Sequence, residues 1–309
     1  MRAGAAAQRR AEHGALILRG PDRLDFVQRM TTNDVVALEP GQSTVTVLTS
    51  PTARILFVFT ALPHEEDLLL LPAAGESAAL ARHLRSNIFF MDKVTVTDVS
   101  DTYQRLRIMG PQARERLAQM GLDLTEAGDG DWIEEDGVII VRQERYDVPG
   151  YEILVPVAAG EDFLIRLIET GVTELQGENA YHARRVELGR PLPGFEVTAD
   201  YNPLETGLAW VCSESKGCYT GQEIIARQIT YDKVTRNLVG LRGDRLLEAG
   251  ATIMDDEGKP AGVVTSAAYS PALDAPIALA IVKRLHNQPG VQLMAGDSPV
   301  TVVAPPFAE

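Results

Sequence analysis

Over the first two thirds of the chain, the apolar positions alternate between a period of two and a period near 3.6, the spacings of a strand and of a helix. ALILRG at 15–20 reads as a strand running into a turn. PDRLDFVQRM, with Leu24, Phe26, Val27 and Met30 apolar, reads as a short amphipathic helix opened by Pro21 and Asp22. STVTVLTS, ARILFVFTAL and DLLLLPA read as three strands, the second too apolar for a face exposed to water. SAALARHLRSNIF then reads as a helix and KVTVTDVS as a period-two strand.

A second set of the same kind follows: QRLRIMGP as a strand, QARERLAQMG as a helix stopped by Gly121, GVIIVRQER and YEILVPV as strands. EDFLIRLIETG is a helix with the same glycine stop, and NAYHARRVELGR a helix leading into the turn PLPG. The recurrence predicts two α+β subdomains, interleaved over about 11–232. From about Thr235 the character changes. RNLVGLRG, ATIMDD, PAGVVTSAAYS, APIALAIVK, VQLMA and SPVTVVA are short β runs parted by Gly, Pro and Asp turns, which predicts a small all-β barrel over 233–309.

Composition narrows the class. With 309 residues and 45% hydrophobic content, the chain can bury the cores of two or three domains. The longest apolar run, ILFVFTAL at 55–62, is far short of the roughly 20 residues that cross a bilayer, so no membrane span and no membrane partner are expected. The start, MRAGAAAQRR, lacks the apolar core of a signal peptide; it is Arg-rich and free of acid, which leaves room only for a short organelle-targeting tail on an otherwise cytoplasmic protein. The formal charge of −14 argues against broad nucleic-acid binding. One stretch runs the other way: over 215–245, Lys216, Arg227, Lys233, Arg236, Arg242 and Arg245 outnumber Glu223, Asp232 and Asp244. His13, His64, His83, His182 and His286 are scattered without metal-site spacing, so no metal is expected, and no phosphate-cradling glycine string is present, so nucleotide cofactors are unsupported.

Cys212 and Cys218 are the only cysteines, which fits a reducing compartment and excludes a disulfide scaffold or a paired zinc site. Cys212 ends the apolar run GLAWVC and reads as a structural residue of a strand. Cys218 lies in KGCYTGQE, where Thr220 and Glu223 fit a capping box and predict a helix beginning at Gly221. A thiol just before a helix N-terminus, with Lys216 on the same face if the segment is extended, is favoured as thiolate. Lys216 and Cys218 are therefore the candidate catalytic pair; the alternative is a small buried hydrophobe at 218. Two thiols at most cannot complete an iron–sulfur site, so any cluster needs further ligands.

KGCYTGQEIIAR resembles the signature of the YgfZ family of folate-binding proteins, which support iron–sulfur enzymes and include mitochondrial assembly factors. LILRGPDRLDFVQRMTTNDV, LEPGQ, KVTVTDVS, GYEILVP, RVELGRPLPG, PLETGLAW and TRNLVGL are similar, in the same order, to the larger glycine-cleavage T-protein superfamily. The resemblance implies a three-domain ring with a folate pocket in the middle and a C-terminal barrel. It implies tetrahydrofolate or a derivative as cofactor, and Glu152, Arg185 and Glu205 as pocket residues, the glutamates accepting from pterin N–H groups and the arginine pairing with the anionic tail. Tyr219, Gln222 and Arg227 of the cysteine motif join them as implied cofactor contacts. Asn33 of TTNDV is either polar pocket lining or a turn residue.

Two function classes follow. In the transferases of this superfamily an essential carboxylate lies in a pattern similar to GGxxDD; the matching stretch here is ARILFV, which puts Phe57 and Val58 at the aspartate positions. An apolar side chain can neither take a proton nor stabilise a developing cation. Aminomethyl or one-carbon transfer is thus the second choice, open if Asp67 or Asp92 substitutes in space. The first choice is a folate-binding accessory factor for the assembly or repair of iron–sulfur clusters, including those of enzymes that modify transfer RNA, with Cys218 as the functional thiol. Its partners would be folate and iron–sulfur proteins or assembly factors.

Overall fold

The computed structural model describes residues 1–307. In chain order the elements are β1 (Ala6–Arg9), β2 (Leu16–Arg19), α1 (Arg23–Met30), β3 (Thr44–Thr49), β4 (Ile55–Pro63), β5 (Asp67–Pro72), α2 (Ser77–Ser86), β6 (Thr95–Asp98) and β7 (Tyr103–Met109). They continue as α3 (Ala113–Gln119), β8 (Trp132–Glu135), β9 (Val138–Gln143), β10 (Gly150–Pro156), α4 (Gly160–Glu169), β11 (Thr173–Glu174), α5 (Asn179–Glu187) and α6 (Gln222–Thr230). Six strands close the chain: β12 (Arg236–Gly243), β13 (Thr252–Met254), β14 (Pro260–Ser270), β15 (Ala275–Lys283), β16 (Gln292–Ala295) and β17 (Ser298–Val303). The class is mixed α/β, with two α/β subdomains and a closed C-terminal barrel.

Two compact units hold these elements. The first comprises Met1–Leu48, Phe57–Gln176 and Ser215–Thr220; the second comprises Thr49–Leu56, Gly177–Glu214 and Gly221–Glu309. α5, α6 and the short segment Thr49–Leu56 thus group with the barrel, and the division does not coincide with the boundary expected near residue 233.

The first unit has a six-stranded sheet in the order β11-β1-β7-β10-β9-β8, and the other sheet, β3-β4-β5-β2-β6, has five strands. The run DLLLLP is apolar throughout because both of its faces are covered: Leu68 and Leu70 join the core under α1 and α2, while Leu69 and Leu71 meet Ile139, Val141 and Leu154 of the larger sheet. β10 alternates in the same way. Tyr151, Ile153 and Val155 pack with α3 and α4, which leaves Glu152 on the face of Leu154, in the seam between the sheets. Ala6–Arg9, read as part of a possible targeting tail, is a strand with Ala6 and Ala7 buried, paired to β7 and β11. The helix expected from SAALARHLRSNIF stops at Ser86.

In the second unit the barrel closes in the order β12-β15-β14-β13-β16-β17 around Val239, Leu241, Val264, Ala280, Val282 and Val302. α5 lies on its outer wall, Val186 packing against Ala268, Ile277, Leu279 and Phe307. GLAWVC is not a strand: Ala209–Val211 is a single 3-10 turn, and buried Cys212 donates its thiol to the Leu208 carbonyl at 3.9 Å. Among the described residues no helix is long and apolar enough to cross a membrane.

Candidate functional site

The cysteine motif splits by burial. Lys216 and Tyr219 are buried, whereas Gly217, Cys218 and Thr220 are exposed, so the segment does not put Lys216 and Cys218 on one face. The Lys216 ammonium donates to the carbonyls of Gln28 (2.7 Å), Thr31 (2.7 Å) and Asn33 (2.6 Å), and lies 5.3 Å from the Tyr219 ring centre. These are carbonyls at the C-terminal end of α1 and in the turn that follows, groups a helix leaves without intrahelical partners. A cation there is favoured by the helix dipole. Burial pushes the ammonium down to about 8, against the attraction of Asp34. Lys216 is thus a strut for the TTNDV turn, and the expectation that it activates Cys218 is corrected.

Asn33 is consumed by the same turn. Its side-chain amide donates to Thr44 Oγ1 at 2.7 Å and the Val45 carbonyl at 2.9 Å, and its Oδ1 accepts from Asp34 N. Of the two readings offered by the sequence, the geometry is that of the turn. Helix α6 starts at Gln222, and its N-cap is Gly221 with φ 85°, not Thr220, which replaces the expected capping box. A Cβ on Gly221 would fall 2.8 Å from the Ser50 carbonyl and 2.9 Å from Thr49 Oγ1, so the glycine is required by both conformation and contact. Arg227 is exposed on α6, and Gln222 half-buried at its first turn.

Glu152 and Arg185 are both locked in ion pairs. Glu152, 2% exposed, is held by Arg105 at 2.8 Å and Arg107 at 3.4 Å. Burial opposes its ionisation, but Arg105, Arg10, Arg107 and His13 outweigh burial and keep the carboxyl below its ordinary range. Arg185 is fully buried; it pairs with Glu196 at 2.9 Å, donates to Ser266 Oγ at 2.6 Å and stacks on Phe195. The terminal nitrogens of Arg185 fasten α5 to β14, while its buried Nε has no hydrogen-bond partner among the described residues.

Glu205 is different, because its partners are themselves half open. Its carboxylate accepts from Asn202 N (3.0 Å), Arg236 Nε (2.8 Å) and Arg54 Nη1 (3.4 Å). Arg54 and Arg236 keep 41% and 33% of their side chains exposed. Both guanidiniums also donate to the Asp200 carbonyl at 2.9 Å, and Arg236 lies over the Tyr201 ring. Asn202 reaches Gln228 of α6 at 2.9 Å, which ties the 200–206 loop to the helix that follows Cys218. Arg54, Asn202 and Tyr201 were not singled out in the sequence, and Arg236 only as part of the basic stretch over 215–245. The signal was present, since ARILFV and TRNLVGL carry the two arginines, but nothing in those strings says that they converge on Glu205.

At the ARILFV stretch, Ala53 adopts φ 61°, a conformation that favours glycine, as an alignment with GGxxDD would require. Val58 is buried and Phe57 half-buried, its ring 5.7 Å from that of His83. Asp67 does not reach this place: it lies at the turn end of the β4–β5 hairpin, about 20 Å along the strand from Phe57. Asp92 is occupied by Arg29 at 2.5 Å and by the Phe89 N–H. Among the described residues no group of three or more His, Cys, Asp or Glu side chains could hold a metal.

Residues 10–216 match the family described as GCVT N-terminal domain, and residues 236–309 match the glycine cleavage T-protein C-terminal barrel domain. An aminomethyltransferase of Synechococcus sp. is 31% identical over 314 residues, covering 95% of this chain and 84% of that protein. A chloroplastic protein of Arabidopsis thaliana, provisionally named a transferase, is 31% identical over 267 residues; the match covers 82% of this chain but only 59% of the relative. The crystal structure of glycine cleavage system aminomethyltransferase T from Bartonella henselae superposes with a TM-score of 0.90 at 26% identity, over 100% of this chain and 87% of that one.

Proposed function

The chain belongs to the glycine-cleavage T-protein family, and on that premise we propose that it is a tetrahydrofolate-binding accessory factor of the YgfZ kind rather than an aminomethyltransferase, supporting iron–sulfur proteins through Cys218. The observation that carries this reading is the apolar packing of Phe57 and Val58 where the transferases of the family carry their carboxylate. Aminomethyl release needs a group that takes a proton or steadies a developing cation, and a phenyl ring and an isopropyl group do neither.

The residues present fit the anionic end of a folate. Arg54 and Arg236 are aimed by Glu205 and by the Asp200 carbonyl, yet remain partly exposed, so each can pair with a carboxylate of the glutamate tail. Tetrahydrofolate, when bound, supplies ring nitrogens that accept one-carbon units. Glu152 and Arg185, each in a buried ion pair, would hold the frame around it. Cys218 is exposed, as a thiol that meets a partner or a soft metal must be.

The names of the Synechococcus and Bartonella relatives favour the second reading, aminomethyl transfer, and one set of measurements separates the two. Calorimetry with tetrahydrofolate tests binding. A single-turnover assay with aminomethylated carrier protein should then give no methylenetetrahydrofolate; robust turnover would restore the transferase. In a strain lacking its own family member, wild type should rescue a cluster-dependent enzyme and Cys218→Ser should not, while retaining fold and folate affinity. Full rescue by Cys218→Ser would remove the thiol from the function.

A further inference from the structure

Between α2 and β6 the chain turns through Phe89, Phe90 and Met91, which are 66%, 97% and 72% exposed. Three consecutive large apolar residues in water are unusual for a turn, and this one is held in shape. The Asp92 N–H donates to the Phe89 carbonyl at 2.9 Å, the Phe89 N–H donates to Asp92 Oδ2 at 2.8 Å, and Arg29 fixes that same carboxylate oxygen. On the far side, Lys93 N donates to Asp22 at 2.8 Å. Ile88 turns inward to the core beneath α2, so the core takes what it can reach and leaves the next three residues projecting.

The α2 flank of the tip and Lys93 are basic, in a chain whose formal charge is −14, while the α1 flank carries Asp22 and the exposed Asp25. Arg82, Arg85 and Lys93 are exposed, and among the described residues none of them is in an ion pair. Arg85 is positioned by two bonds to the Val96 carbonyl, at 3.1 and 2.9 Å. Arg82, Arg85 and Ser86 line an open cleft of about 570 Å³ with Ala78, Ala81 and Asp98. The one carboxylate lining that cleft, Asp98, is engaged by Ser100 at 2.5 and 3.0 Å, and Arg29 is shared between Asp92 and Asp25.

We propose that the Phe89-Phe90-Met91 turn dips into the surface of an anionic lipid bilayer, with Arg82, Arg85 and Lys93 at the level of the lipid phosphates. The tip exposes roughly 450 Å², taking about 200 Å² for each side chain, which is the scale of functional patches but well below the roughly 800 Å² per partner of a stable protein interface. It is a convex tip, not a groove or a flat face, and a bilayer requires no matching shape. Apolar insertion beside basic side chains is the pairing that interfacial anchors use. The absence of a spanning helix has no bearing on it, because a tip inserts only to the headgroup boundary.

The test is co-sedimentation of the intact protein with vesicles of equal parts phosphatidylcholine and phosphatidylglycerol, and with phosphatidylcholine alone. No folate is needed, so failure here and failure of the folate reading are separable. Binding to the anionic vesicles is expected, weakening with salt, with little on the neutral ones. Phe89→Ser, Phe90→Ser and Met91→Ser together should abolish it, and Arg82→Gln with Lys93→Gln should lower it by on the order of tenfold or more. Circular dichroism confirms that each variant is folded. Phe90→Trp gives a depth reading: its fluorescence should shift to the blue on vesicles and be quenched by brominated acyl chains. No binding to anionic vesicles, or binding that survives the triple serine change, overturns the proposal; the first result would hand the tip to an acidic protein partner.

Discussion

Lys216 shows how one residue type supports opposite readings until its surroundings are known. An extended KGC segment would set its ammonium beside the thiol, yet residues 216 and 219 are buried while 217 and 218 face solvent. The charge instead closes the end of α1 through three carbonyls. Lys216→Met keeps an apolar stem but withdraws the donor, and an unsatisfied buried acceptor costs about 1–3 kcal/mol, so a loss of at least about 3 kcal/mol is expected in urea unfolding. Unchanged stability would return Lys216 to the chemistry. The proton adds a second signature. The folded ammonium releases it near 8 and the unfolded one near 10.5, so between those values the unfolded chain binds more protons and stability rises with pH; the Met variant should lack that rise. Gly221→Ala tests the neighbouring position. Its φ of 85° and the 2.8 Å approach of a Cβ to the Ser50 carbonyl predict a loss above about 2 kcal/mol, with the melting temperature as the readout. The TG of the motif was legible as a helix start; the turn against which the glycine packs belongs to residues 49–53, far away in sequence.

At the level of elements, the six β runs read after Thr235 are the six strands of the barrel, because short alternating runs between Gly, Pro and Asp turns leave little choice of period. β1 was missed for the opposite reason: AAQR carries no β-branched or aromatic residue, and its pairing with β7 and β11 imposes the strand. The pattern of β7 was legible but misleading. In QRLRIM the arginines alternate with Leu106 and Ile108, which normally marks a wet face, yet Arg105 and Arg107 are 7% and 0% exposed because the smaller sheet covers them. Glu152, opposite Arg107 across the β7–β10 ladder, supplies the compensating charge. Glu152→Gln would leave Arg105 buried beside a neutral amide, with Arg107 keeping only Asp147. Removing one partner of a buried pair typically costs 3–5 kcal/mol, so an unfolding loss on the order of 3 kcal/mol is expected, with folate affinity intact in the folded fraction. A variant of native stability that has lost only folate binding would show that Glu152 touches the ligand after all.

For the molecule as a whole, the buried charges of the first unit set how stability follows pH. His13 is pushed down to about 3, first by burial and then by Arg105 and Arg10, with Glu152 and Asp147 opposing. Between its unfolded value of 6.5 and about 3 the unfolded chain binds the extra proton, so His13 contributes stability that is present above 6.5 and drains away as the pH falls. Glu76 runs the other way. Burial raises it from 4.5 to about 7, so over that interval the folded state holds the extra proton, and stability declines as the pH rises. From 6.5 down to 4.5 the two slopes oppose each other, and a nearly flat stability is expected there. Below 4.5 the Glu76 contribution is complete, and the loss from His13 is joined by that of Glu152, whose folded carboxyl lies below its ordinary range. Urea unfolding at closely spaced pH values checks this with two variants. Glu76→Gln should begin losing stability as soon as the pH drops under about 6.5. His13→Asn should instead gain stability between pH 7 and 4.5, because only the Glu76 slope remains. Parallel curves for both variants and the wild type would mean that neither group is buried in the ionisation state the geometry requires.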